Sequence, residues 1–341
     1  MKKLLWIDLI KVFSSVLIVV NHSISKSYTT LPISGFDWKV MNFVFMITRM
    51  GLPVFIMCSG AGMLTRERGI KEIWQKSILG LLKIYVGWMV IFGIKDVLQI
   101  WINGENATPR VMINAFLKCI LFGKYHTWFI FMLIGLYAIT PLLYGIAQKK
   151  ELLCYFLLLS AVFTLVLPMV SGVEKLSRVN NVIESICMQF VVGYTLYFLS
   201  GYFICHCMEK KWEKYAEALF AVSAVAGLVI SMWMSERTGS PNQEIYMPFS
   251  VCGYLMSVSL MILFKKYCGA ERKSVIINKT AALQKYGIAV YLIHIMFVEM
   301  WTKESGMINL LYGVLIWLLS MGIGMIAYRI PIVKHVLFIQ K

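Results

Sequence analysis

The feature that most constrains this chain is its succession of long apolar runs. Ten segments each hold about 20 mainly apolar residues, enough for a helix to cross a hydrocarbon layer of about 30 Å. They span approximately residues 4–24, 40–64, 78–99, 126–147, 152–170, 186–207, 214–234, 247–265, 283–301 and 308–332. The third is interrupted by Lys83, and only a short basic turn separates the fourth from the fifth. Of 341 residues, 59% are hydrophobic and 15% charged. Ordinary soluble proteins carry about 25% charged residues, so this chain has too few to solvate a soluble surface. The expectation is an all-α polytopic membrane protein: about ten transmembrane helices in one bundle, with residues 1–341 as one integral membrane domain.

The formal net charge is +16. The basic residues cluster in short loops between apolar runs, as membrane topology produces, and no Arg/Gly/aromatic stretch suggests a nucleic-acid partner. With the N-terminus placed inside, the inner segments hold 20 Lys and Arg and the outer loops 9. That bias puts both termini in the cytoplasm and favours an even number of spans. Lys2 and Lys3 followed by an apolar run resemble a signal peptide, but charges interrupt the run and no small-residue cleavage site follows. The eight cysteines lack the spacing of a disulfide framework or a zinc site, and no metal is expected. Residues 100–125, 171–185 and 235–246 read as longer outer loops able to meet a polar substrate.

The first span, "WIDLIKVFSSVLIVVNHS", carries Asp8, Lys11, Ser15 and His22. At ~100° per residue, Lys11 and His22 differ by only about 20°, and Asp8 and His22 by about 40°. All four groups therefore lie on one stripe. An ionisable group facing lipid costs ~2.5 kcal/mol or more, so the stripe should face the bundle interior. Asp8 and Lys11, at i and i+3, can partly neutralise each other, or serve only to fix helix packing. His22 lies about 21 Å along the axis from Asp8 and belongs near the outer mouth.

Further intramembrane groups are Arg49 in the second span, Lys83 and Lys95 in the third, His126 at the start of the fourth and His294 within "VYLIHIMF". Arg49 is the most telling. A guanidinium stays charged, and with no acid in its own helix it needs a partner elsewhere, in the protein or in a ligand. His294 can equally serve as a hydrogen-bonding residue between helices.

Four blocks in order carry a family resemblance. Lys11 and His22 stand eleven positions apart after "IDL". "RMGLPVFIMCSG" contains Arg49, Pro53, Phe55, Ser59 and Gly60. "YHTWFIFMLIGLYAITPLL" contains His126, Trp128, Tyr137 and Pro141. "GIAVYLIHIMFV" contains Tyr291 and His294. Over nearly the whole chain this resembles the acyltransferase-3 family of integral membrane O-acyltransferases, in particular those that acetylate bacterial surface polysaccharides. Two positions depart from the family pattern: Lys11 replaces an arginine, and "SGAG" lacks the aromatic that usually follows Ser-Gly. Arg66-Glu67-Arg68 resembles the basic Arg-x-Arg element that family members carry after the second block.

The resemblance implies a bacterial cytoplasmic membrane enzyme that moves an acetyl or other short acyl group from acetyl-CoA to a sugar hydroxyl. It needs no metal, and its partners are the CoA donor, a glycan acceptor and the lipid bilayer. Histidine can act as a general base near neutral pH, and His22 is the candidate. Lys11 and Arg49 would hold CoA phosphates or stabilise the oxyanion, with His126 a second acid/base candidate. Arg66, Arg68, Lys76 and Lys83 are candidates for binding CoA, and Asp8, Tyr125, Trp128, Tyr291 and His294 for binding substrate. The rival reading is a proton-coupled transporter or glycan-precursor exporter, since such carriers also line their paths with basic and histidine side chains.

Overall fold

A computed structural model describes residues 4–104, 108–171, 191–269, 275–302 and 305–338. These residues are mainly helical and include no strand. Among them, nine helical segments are long and apolar enough to cross a membrane, and the chain is an integral membrane protein. The span expected over 186–207 lies partly outside the described residues; its described part is the helix Tyr194–Tyr202, continued by a wider turn over Phe203–Cys207.

The first span is one long helix, α1 (Leu5–Thr30). The second is two helices, α2 (Phe36–Thr48) and α3 (Gly51–Met63), interrupted at Arg49 and Met50. Pro53 explains the break. It has no N–H to donate to the carbonyl of Arg49 four residues back, so the helical ladder stops there and restarts.

Two sequence expectations need correction. The expected loop over residues 100–125 is largely helical where it is described: the preceding helix runs to Asn103 and Pro109–Phe122 is another. The Thr108 side chain caps it by accepting from the Val111 amide at 3.4 Å, Pro109 occupies the first turn, and Gly123 ends it at φ 70°. Its polar residues Arg110, Asn114 and Lys118 set it apart from the apolar runs; the candidate crossing segment Pro109–Ala138 overlaps the expected 126–147, which is helical over Trp128–Ala138 and Thr140–Ala147. Lys83 does not interrupt the third span. It sits in the unbroken helix Leu79–Asn103 on an exposed face, while Leu81, Ile84, Tyr85 and Trp88 are buried.

The chain divides into two compact units, one of Met1–Arg66 with Leu142–Met321, the other of Glu67–Pro141 with Gly322–Lys341. In the second unit, Leu79–Asn103 packs against Pro109–Phe122 and Pro331–Leu337. Trp88 Nε1 donates to the Leu337 carbonyl at 3.1 Å, and Lys124 Nζ spans both oxygens of Asp96 at 2.8 and 2.7 Å.

In the first unit, α1 is surrounded by α2, α3, Val251–Cys268, Val275–Ala282 and Gly287–Trp301. Behind α1, α3 crosses Tyr194–Tyr202 backbone against backbone. A Cβ on Gly60 would lie 1.8 Å from the Phe198 carbonyl oxygen, and one on Gly201 would lie 1.9 Å from that of Met57. Small residues permit such approach between membrane helices, where dispersion replaces the hydrophobic effect as the packing force. Ala61, at the position of the missing aromatic, is buried, and His206 Nε2 donates to its carbonyl at 3.3 Å.

Gly60→Ala and Gly201→Ala should each destabilise the fold by at least ~2 kcal/mol, because neither backbone can yield. Gly62→Ala should be neutral, since a Cβ there would meet nothing within 4 Å. Thermal unfolding of the three detergent-solubilised variants checks this; equal melting temperatures would refute the reading of the crossing.

Candidate active site

The polar stripe of α1 faces protein. Asp8 and Ser15 are buried, while Lys11 and His22 are half-buried. Each level of α1 meets a different neighbour. Asp8 and Lys11 lie within electrostatic reach of the buried Cys58 of α3. Ser15 Oγ accepts from Trp317 Nε1 at 2.9 Å and donates to the Val12 carbonyl at 2.7 Å. Asn21 Nδ2 donates to Thr48 Oγ1 at 2.9 Å, tying α1 to the end of α2 beside Arg49. Near the end of α1, Ser27 Oγ accepts from Asn309 Nδ2 at 2.8 Å and from the Gly306 amide at 3.0 Å.

Packing then brings two distant histidines together. Val19, Val290, Val298, Ile316 and Met321 form a buried cluster joining α1 to Gly287–Trp301 and Ile308–Ala327. His22 follows Val19 by three positions and His294 follows Val290 by four, so both rings emerge on the packed faces. Their centroids are 5.3 Å apart with planes at 43°. His294 is fully buried, and Nδ1 lies 3.0 Å from the Val290 carbonyl. A carbonyl only accepts, so Nδ1 carries the proton and Nε2 keeps a lone pair. Tyr291 adjoins the pair, its ring 6.3 Å from that of His294.

Arg49 completes the group. Its Nη2 donates to Gln243 Oε1 at 2.5 Å and its guanidinium lies 4.4 Å from the centre of the Phe45 ring. His22, Tyr28, Tyr194 and Tyr246 are within its electrostatic reach. No described carboxylate pairs with it. The partner the sequence demanded is thus a neutral amide from the 235–246 turn. That turn is held by a buried network: Tyr246 Oη donates to Asn42 Oδ1 at 2.7 Å, Ser231 Oγ donates to the Asn242 carbonyl at 2.6 Å, and the Asn242 amide donates to Ser235 Oγ at 2.8 Å. Tyr28 stacks on Phe45 at 4.3 Å, and its carbonyl accepts from Trp38 Nε1 at 3.0 Å.

The first unit therefore gathers His22, His294, Tyr291 and Arg49 at one level of α1, and Asp8 and Lys11 at another. His126, Tyr125, Trp128, Arg68, Lys76 and Lys83 belong to the second unit. There His126 is buried, its ring 5.5 Å from Phe92, whereas Tyr125 and Trp128 are exposed. Arg68 and Lys76 converge on Glu72 at 3.9 and 3.8 Å. Arg66 is exposed at the boundary of the first unit. Asn42, Gln243 and Tyr246 were missed from the sequence. The one available signal was Asn42, an amide within an apolar run.

A profile of the acyltransferase domain family matches residues 4–329, which include every residue of this group. Comparison with curated proteins and with solved structures returned no match.

Tyr246→Phe and Asn42→Ala remove the two ends of one buried hydrogen bond. Their effects on thermal stability should be non-additive, with a coupling of ~1 kcal/mol in a double-mutant cycle. Strict additivity would show that the turn is held by other contacts.

Proposed function

The chain belongs to the acyltransferase-3 family of membrane acyltransferases, and on that premise we propose that it transfers a short acyl group, acetyl in the simplest case, from acyl-CoA to a hydroxyl of a cell-surface glycan or lipid-linked sugar. The observation that carries this reading is the meeting of His22 and His294 beside Arg49. His22 takes the proton of the acceptor hydroxyl as its oxygen attacks the thioester carbonyl. The tetrahedral oxyanion forms in the positive field of Arg49. The C–S bond then breaks, and the imidazolium returns its proton to the departing CoA thiolate. His294, with Nδ1–H committed to Val290, offers Nε2 as an acceptor that can orient the His22 ring.

The two polar levels of α1 suit such a donor. Lys11 and His22 are about 16.5 Å apart along the helix. The pantetheine arm of CoA is equivalent in length to four or five extended residues, about 15 Å. Phosphates near the Lys11 level would put the thioester near His22, so direct transfer requires no covalent relay. With both termini cytoplasmic, as the basic loops favour, Lys11 is on the side where CoA is found.

In nanodiscs or vesicles holding the full chain, His22→Ala should lower label transfer from radiolabelled acetyl-CoA to a membrane glycan fraction at least ~100-fold, the usual contribution of a general base. His294→Ala should lower turnover by less and leave donor binding intact. Wild-type turnover by well-folded His22→Ala protein would sink the assignment of the base. Movement of glycan across vesicles with no use of acetyl-CoA would favour the transport reading.

A further inference from the structure

Arg49 poses an electrostatic problem that acyl transfer alone does not solve. A guanidinium at the break of a membrane-spanning helix is expensive without a counter-charge. Its hydrogen-bonding neighbour is the neutral Gln243. Its Nε is buried and makes no hydrogen bond. The groups within electrostatic reach are an imidazole and three phenols, and no described carboxylate is among them. A transient oxyanion would compensate the charge only in the transition state, and no described residue supplies a permanent anion before it; a ligand can.

The donor is poorly placed to supply it. If the thioester sits at His22, the whole pantetheine arm separates the CoA phosphates from that level, and Arg49 is at that level. The acceptor can supply it. From these observations we propose that the acceptor bears an oxyanion group, a carboxylate or a phosphate, close to the hydroxyl that is acylated, and that Arg49 grips it. Guanidinium and either anion match as a fork on two oxygens. Gln243 Oε1 then stands where one anion oxygen would lie, and the amide yields when the acceptor enters. Phe45 beneath the guanidinium fixes its plane. This rests on the acyltransferase reading for the location of the thioester, but its test needs no turnover.

The test is thermal stabilisation of the full chain in detergent by glucuronic acid, glucose 1-phosphate, glucose and acetyl-CoA, with sodium chloride controlling for ionic strength. The expected result is a larger upward shift from at least one of the acids than from glucose. If one acid alone acts, it identifies the anion as carboxylate or phosphate. Arg49→Gln should raise the half-saturating concentration of that acid at least tenfold and leave glucose unchanged. Gln243→Glu keeps Arg49 but supplies an internal carboxylate, and should abolish the preference even if Arg49→Gln fails to fold. Equal shifts from acids and glucose in the wild type would overturn the proposal, as would a preference that survives in Gln243→Glu. So would an Arg49-dependent shift from acetyl-CoA with none from the acids, which would assign the guanidinium to the donor. Absence of labelled acetyl transfer by the wild type is a separate result, and would remove the acyltransferase reading without touching the binding data.

Discussion

The first unit depends on one constraint: the polar stripe of α1 cannot face hydrocarbon. The polar groups of α1, on that stripe and beside it, therefore each draw in a neighbour. Ser15 takes Trp317, Asn21 takes Thr48, His22 takes His294, and Ser27 takes Gly306 and Asn309. These contacts come from segments far apart in the chain, and they fix the rotation of α1 within the bundle. A plain anchor helix of the same length would have no preferred face. The polar groups thus orient the helix and bring His22 to His294.

The apolar packing is subordinate to this arrangement but sharpens it. The Val19, Val290 and Ile316 cluster sets the axial register that matches His22 to His294. The Gly60–Gly201 crossing holds α3 rigidly against Tyr194–Tyr202. Because α3 begins just after Arg49, that rigidity also limits where the guanidinium can swing. A site on two such braced elements is better preorganised than one on loops.

Much of this was legible in the sequence, for a physical reason. Helical phase is a property of one segment, so the shared face of Asp8, Lys11, Ser15 and His22 could be read without any partner. The same holds for the all-helical membrane class, since span length follows from bilayer thickness. What could not be read were properties that need two segments. Nothing in "SPNQEIY" shows that Gln243 meets Arg49, and Asn42 gains its meaning only from Tyr246 and Ser231. The helix Pro109–Phe122 was concealed because apolarity was the criterion; its capping threonine, its proline and its terminal glycine were visible local signals. His126, Tyr125 and Trp128 matched a sequence block, but the block carries no information on which side chains are buried: His126 is and the two aromatics are not.

The break between α2 and α3 ties these threads together. An unbroken helix would satisfy its own backbone and would hold Arg49 on the regular surface of a cylinder. Pro53 removes one backbone donor, so the hydrogen-bond ladder is interrupted at Arg49 and Met50 although both keep helical dihedral angles. Irregular backbone at membrane depth survives only where protein or a polar cavity covers it. Here the cover is α1, through Asn21 and Thr48, and the 235–246 turn, through Gln243. The interruption thus stands where α1 presents His22 and where a third segment supplies the Gln243 amide. A proline in an otherwise apolar span, four residues after an arginine, is therefore more than a tolerated defect: it interrupts the ladder at the arginine that lies within electrostatic reach of His22.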